Sequence, residues 1–111
     1  MLGTIKSSTE ISYLFSHGKR HATPVVTIIV YQGDSQHGPS GRVAFIAGKK
    51  NGNAVWRNRA KRRLRSVCHD LGGPWSDLNV LFIANKKTNR AEYNELLSAS
   101  RKALDSYIEK A

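Results

Sequence analysis

An α/β (α+β) two-layer sandwich, with three helices packed against one small mixed sheet, is the fold class this sequence predicts, and three observations predict it. The segments "VVTIIVY" (25–31), "RVAFIAG" (42–48) and the run from Leu78 to Ala84 are short, apolar and rich in residues that favour strands. Three further segments carry apolar residues at helical spacing. One of these lies between the second and third strands, where a parallel strand pair requires a crossover.

Taken in order, Ser7, Ser8 and Thr9 offer capping hydroxyls, Ile11, Leu14 and Phe15 follow at helical spacing, and Gly18 closes a first helix as a C′ residue. After Pro24 comes the first strand, mostly buried on both faces. The turn formers "QGDSQHGPSG" separate it from the strand starting at Arg42, so the two are predicted to form a hairpin with a long loop, mobile at its tip. Asn53 caps a long second helix that ends before "GGP" at Gly72. Asn89 and Glu92 have the spacing of a capping box, and Tyr93, Leu96, Leu97, Ala103, Leu104, Tyr107 and Ile108 trace one apolar stripe of a third helix. The order is helix, strand, strand, helix, strand, helix. A fourth short strand fits between His21 and Pro24 or by splitting the first.

A chain of 111 residues holds one core, so residues 1–111 read as a single domain without repeats or linkers. Eighteen Lys and Arg stand against eight Asp and Glu, a formal net charge of +10, which points to a polyanionic partner. The longest apolar run is far below the roughly 20 residues of a membrane span, so no membrane partner is expected. "MLGTIKSSTE" lacks the regions of a secretory signal, and the expected location is the cytoplasm. Cys68 is the one cysteine, which rules out an intrachain disulfide and a Cys-rich zinc module.

The charge is concentrated. "KKNGNAVWRNRAKRRLR" (49–65) holds eight cations and no acid, and from Ser35 to His69 nine Lys or Arg face no Asp or Glu at all. At about 100° per residue, Trp56, Ala60, Leu64, Val67, Cys68 and Leu71 fall in an apolar arc of about 120°. Arg57, Asn58, Arg59, Lys61, Arg62, Arg63 and Arg65 fill the rest of the circumference. A solvated helix face usually mixes signs, because i, i+4 ion pairs add about 0.2–0.5 kcal/mol and like pairs cost as much. Arg57/Lys61, Lys61/Arg65 and Arg59/Arg63 are all like pairs. That repulsion is tolerable where a partner supplies the anions. Arginine outnumbers lysine five to one between Asn53 and Arg65, and its planar fork grips phosphates bidentately and stacks on bases, so structured nucleic acid fits better than a lipid surface. Free backbone amides at Gly52 and Asn53, beside Lys49 and Lys50, predict an anion site at the helix start.

"GKKNGNAVWRNRAKRRLR" resembles the signature of the bacterial ribonuclease P protein family, with its Lys-Lys, Gly-Asn-Ala-Val, Arg-Asn-Arg, Lys-Arg and further Arg at this spacing. "IKSSTEISYLFSHGKR" resembles the family's first helix, "RVAFIAGKK" its strand into the motif and "DLNVLFIA" its last strand. The resemblance implies a four-stranded sheet with a left-handed βαβ crossover at the basic helix, against the usual right-handed rule. It also implies that the protein does not cut RNA itself. It binds ribonuclease P RNA, a large catalytic RNA, and the single-stranded 5′ leader of precursor tRNA, while the RNA with its magnesium removes the leader. One monomeric copy per catalytic RNA is implied as well.

Carried over by position, Arg57, Asn58, Arg59, Lys61, Arg62 and Arg65 face the catalytic RNA, with Lys49, Lys50 and Asn53 bordering the same surface. Ile11, Phe15 and His17 fall to the leader, in a cleft between the first helix and the sheet. Spacing alone favours a core role for Phe15. Three features depart from the family pattern: Ile11 replaces an aromatic residue, "MLGTIK" stands where the family often has basic residues, and Asn85 replaces an arginine after the Ile-Ala of the last strand, with Lys86 and Lys87 supplying charge nearby.

No catalytic or metal-binding residues are expected in the protein alone. A two-metal phosphodiesterase needs convergent carboxylates, and the eight acids are scattered. His17 and His21 read as solvated, and His37 and His69 lack an evident partner. The rival reading is a generic RNA-binding or ribosomal module serving no enzyme. A DNA-binding reading is weaker, without helix-turn-helix spacing or a dimerisation heptad.

Overall fold

The computed structural model describes residues 3–4, 8–32, 41–75 and 78–108. Strands β1 (Gly3–Thr4), β2 (Lys19–Ala22), β3 (Val26–Gln32), β4 (Arg42–Ile46) and β5 (Leu78–Ala84) form one mixed sheet with helices α1 (Ser8–His17), α2 (Ala54–Asp70) and α3 (Tyr93–Ile108). A 3₁₀ turn at Lys49–Asn51 leads from β4 into α2. The three helices and the four principal strands match the predicted α+β class. β1 is a two-residue addition too short to leave a periodic signal.

The sheet order is β1-β4-β5-β3-β2. β4 runs parallel to β5, with Val43 opposite Val80 and Phe45 opposite Phe82. β3 is antiparallel to β5, and β2 is antiparallel to β3. This corrects the predicted hairpin: β3 and β4 are not partners, because β5 lies between them. Sequence adjacency suggested the pairing, but β5 is buried at six of its seven positions, and a strand that apolar on both faces is stable only with neighbours on both edges. The tip of the predicted loop, expected to be mobile, falls within residues 33–40 and lies outside the described residues.

Alternation along β3 sends Val26, Ile28 and Val30 to one face, where they meet Ala60, Leu64 and Val67 of α2 and Leu96 and Leu104 of α3. Ile29 points to the opposite face and joins Leu14 of α1, Ala44 and Leu81 in a second cluster. The helices therefore cover both faces of the sheet, α2 and α3 on one and α1 on the other, which adds a layer to the two-layer expectation. No helix among the described residues is long and apolar enough to cross a membrane.

α2 begins and ends where its sequence predicts. The Asn53 side chain accepts from the Trp56 amide at 3.0 Å, an N-cap bond. At the other end Gly72, at φ +90°, and Gly73 donate back to the carbonyls of His69 and Cys68, the two bonds of a Schellman cap that requires the left-handed conformation at Gly72. The capping box at Asn89 does not form. α3 starts later, with the Leu96 amide on the Glu92 carbonyl, because Asn89 donates instead to the Trp56 carbonyl of α2 at 2.9 Å.

Candidate nucleic-acid interface

Burial of Ala60, Leu64, Val67 and Cys68 fixes the rotation of α2 on the sheet, and the cationic residues take what remains. Asn58, Arg59, Arg62 and Arg65 are exposed, and Arg57 and Lys61 are half-buried at the flanks. Lys49 and Lys50 are exposed on the 3₁₀ turn before the helix, with Asn53 exposed at its first turn. All nine positions named from the motif therefore lie on one helix and the turn leading into it. The Arg57 Nε is shielded from solvent without a hydrogen-bond partner among the described residues.

The Asn53 oxygen takes the Trp56 amide, as its expected capping role requires, which leaves the predicted anion site to the amides of Gly52 and Asn53. Two details differ from the expectation. Arg63 does not belong to the open cationic face: its guanidinium donates to the carbonyls of Thr88 and Ala91. Arg65, although exposed, lies over the Phe45 ring with its guanidinium carbon 5.6 Å from the centroid, within reach of a cation–π contact.

The turn after β5 brings more cations to the same end of the sheet. Asn85, the position that departs from the family's arginine, is a turn former: its side chain accepts from the Lys87 amide at 2.8 Å and donates to the Pro24 carbonyl at 3.2 Å. Thr88, fully buried, accepts from the Asn85 amide and donates to the Val25 carbonyl at 2.6 Å. That knot presents Lys86 and Lys87 to solvent. Both β4 and β5 run toward this end, because they are parallel, so these lysines and Lys49 and Lys50 follow the same edge.

On α1, Leu14 is buried and Ile11 packs partly into the same cluster, whereas Phe15 is 46% exposed. Phe15 is therefore not the core residue that spacing favoured. At about 100° per residue Ile11 and Phe15 share one side of Leu14, and Tyr13 and His17 share the other. His17 stacks on Tyr13 at 4.1 Å between centroids, with Nδ1 3.0 Å from the Tyr13 carbonyl oxygen. The Tyr13 hydroxyl lies 3.2 Å from that of Tyr31 on β3. The structure thus places His17 apart from Ile11 and Phe15, in an aromatic group that the helical spacing did not single out.

The remaining histidines correct the solvated reading in part. His21 is half-buried with Nε2 2.9 Å from the Tyr107 hydroxyl of α3, and burial, aided by Lys19, holds its pKa below the ordinary 6.5. His69 is 88% exposed and lies 3.7 Å from Asp70. His37 lies outside the described residues. Cys68 is buried, and desolvation pushes its thiol up to about 11, so it is a neutral wall and not a nucleophile. Tyr93 donates to Asp70, and burial together with that bond raises its pKa to about 12. His21, Cys68 and Tyr93 are thus tied into the fold, and none of the three joins the cationic face, whereas His69 lies on the exposed side of α2.

The family model described as Ribonuclease P matches residues 3–108 of the chain. The ribonuclease P protein component of Bacillus cereus is 36% identical over 93 residues, covering 83% of this chain and 79% of that protein. Among solved structures, the Staphylococcus aureus RNase P protein superposes with a TM-score of 0.78 over 97% of each chain at 18% identity. The RNase P protein from Thermotoga maritima superposes with a TM-score of 0.74 over 93% of this chain and 96% of that one, at 14% identity. At such identities the two structures speak for the fold alone.

Proposed function

Because the chain belongs to the ribonuclease P protein family, we propose that its α2 face binds ribonuclease P RNA and that α1 with the adjoining sheet receives the 5′ leader of precursor tRNA. The observation that carries the reading is the cationic face of α2, without an acid from Ala54 to His69, held outward by the burial of Ala60, Leu64, Val67 and Cys68. Arg57, Arg59, Lys61, Arg62 and Arg65 neutralise phosphates, Asn58 hydrogen-bonds among them, and Lys49, Lys50 and Asn53 extend the surface toward the end of β4. Lys86 and Lys87 supply the charge that Asn85 lacks.

The leader is single-stranded, and unstacked bases bind to exposed aromatic faces backed by cations. Phe15 offers such a face, with Ile11 giving apolar contact beneath it. His17, stacked on Tyr13, contacts the leader from the other flank of α1. The protein's contribution to the reaction is then positional: it holds RNA and leader together and lowers their mutual repulsion, while the RNA performs the hydrolysis. Magnesium in this reading is held mainly by the RNA.

The test is cleavage of precursor tRNA at low magnesium by the protein alone, by ribonuclease P RNA alone, and by both. Cleavage at the mature 5′ end only with both components present is the expected result. Tight RNA binding without stimulation would instead favour a generic RNA-binding module.

A further inference from the structure

Between the C-terminal half of α2 and β4 lies a slot of about 300 Å³. Its walls are apolar: Val43 and Phe45 from β4, Cys68 from α2, and Gly73 and Pro74 from the turn that follows. Arg65 and His69, both exposed, stand at its mouth. Phe45 forms an aromatic wall held in place from behind, because its ring stacks on Phe82 at 5.4 Å and 24°. A volume of this size, mostly apolar with a few polar groups at the entrance, is typical of a small-ligand site.

The surroundings select the occupant. One turn back along the helix from Arg65 are Lys61 and Arg62, and no acid precedes Asp70 back to Ser35. An occupant must therefore join a polyanionic backbone to a flat apolar group, and a nucleotide does both. We propose that the slot beside Arg65 receives one unstacked nucleobase of the RNA that lies on α2, with the base against Phe45 and the Arg65 guanidinium moved onto its phosphate or its outer face. The inference rests on the reading of α2 as the face for ribonuclease P RNA and adds to it a point of base contact in a surface otherwise built for phosphates. Burial keeps Cys68 protonated, so the slot wall carries no negative charge to oppose the RNA.

Two variants test the slot without removing charge from α2. Phe45→Leu keeps an apolar wall but loses the aromatic face, and His69→Trp obstructs the mouth from a position that is 88% exposed and so leaves the core intact. Binding of each variant to transcribed ribonuclease P RNA is titrated across a salt series, and base accessibility in the complexes is read with dimethyl sulfate. Stacking of one base contributes about 1–3 kcal/mol, or about 5- to 150-fold in affinity. Both variants are expected to lose affinity in that range with the salt slope unchanged, and one base protected by the wild-type protein becomes reactive. Wild-type affinity for both variants, or a loss of affinity with no base newly exposed, overturns the proposal while leaving the α2 reading intact. Failure of the wild-type chain to bind the RNA overturns both. Self-association of the free protein that His69→Trp abolishes, with RNA affinity unchanged, assigns the slot to a second copy and also overturns it.

Discussion

Arg63 of α2 donates from its guanidinium to the Thr88 carbonyl at 2.5 Å, and the same fork reaches the Ala91 carbonyl at 2.6 Å. This residue sits in the middle of the basic run, yet it ties α2 to the connection between β5 and α3. Its neighbour Arg62 is exposed. Two adjacent arginines thus do different work, and the difference is measurable.

Arg63→Ala removes two charge-assisted bonds at a partly buried position and leaves both carbonyls to find other donors. A loss of about 2–3 kcal/mol in urea denaturation is expected, with the salt dependence of RNA binding unchanged. Arg62→Ala should do the reverse, keeping stability within about 0.5 kcal/mol. For about six phosphate contacts the slope of log K against log salt is roughly −4 to −5, and this variant lowers its magnitude by about one. A wild-type slope for Arg62→Ala would remove that residue from the phosphate surface.

Phe15 is 46% exposed beside the buried Leu14, so Phe15→Ala should change the unfolding free energy by less than about 1 kcal/mol. Its effect is expected in the holoenzyme, as weaker binding of precursor tRNA by about 1–3 kcal/mol with mature tRNA unaffected. Equal weakening for both tRNAs, or a large loss of stability, would make Phe15 structural.

Much of this arrangement was legible in the sequence because it is local. The apolar arc of α2 from Trp56 to Leu71, its Asn53 cap and its Gly72 terminus each follow from a period or a side chain acting within one or two turns. What was not legible depends on partners distant in the chain. β5 enters between β3 and β4 although it follows them by more than thirty residues. Asn89 is drawn from its expected cap by a carbonyl on α2. Arg63 differs from its neighbours only because Thr88 and Ala91 lie opposite it, and Phe15 differs from Leu14 only by its angle to the sheet.

His21 gives the fold a pH dependence. Its imidazole is half-buried against Tyr107, and burial, with Lys19 adding to it, lowers the folded pKa below 6.5. Protonation therefore favours the unfolded chain: the stability is fully present above about pH 6.5 and declines as pH falls from there toward the folded value. Urea midpoints measured from pH 7.5 downward should decrease, and His21→Gln, which keeps a polar partner for Tyr107 but does not titrate, should flatten that part of the curve. An unchanged profile in the variant would assign the pH dependence to other groups.

Gly18 couples the seat of α1 to the proposed leader site. Its φ is not positive, so its role is close approach and not a left-handed turn: an added Cβ would lie 2.5 Å from Ile29 Cγ2 and 2.6 Å from the Leu14 carbonyl oxygen. That oxygen also accepts the Gly18 amide at 2.8 Å, and Ile29 is fixed in the sheet, so neither can yield without shifting α1. Gly18→Ala is expected to cost about 1–3 kcal/mol, as overpacking does, and to reduce precursor tRNA discrimination because Phe15 moves with the helix. Gly48→Ala is the control: nothing lies within 4 Å of its Cβ and its φ is −73°, so stability should stay level or rise slightly. Thermal melts of the two variants decide the matter, and equal melting temperatures would show that α1 has room to move off Ile29.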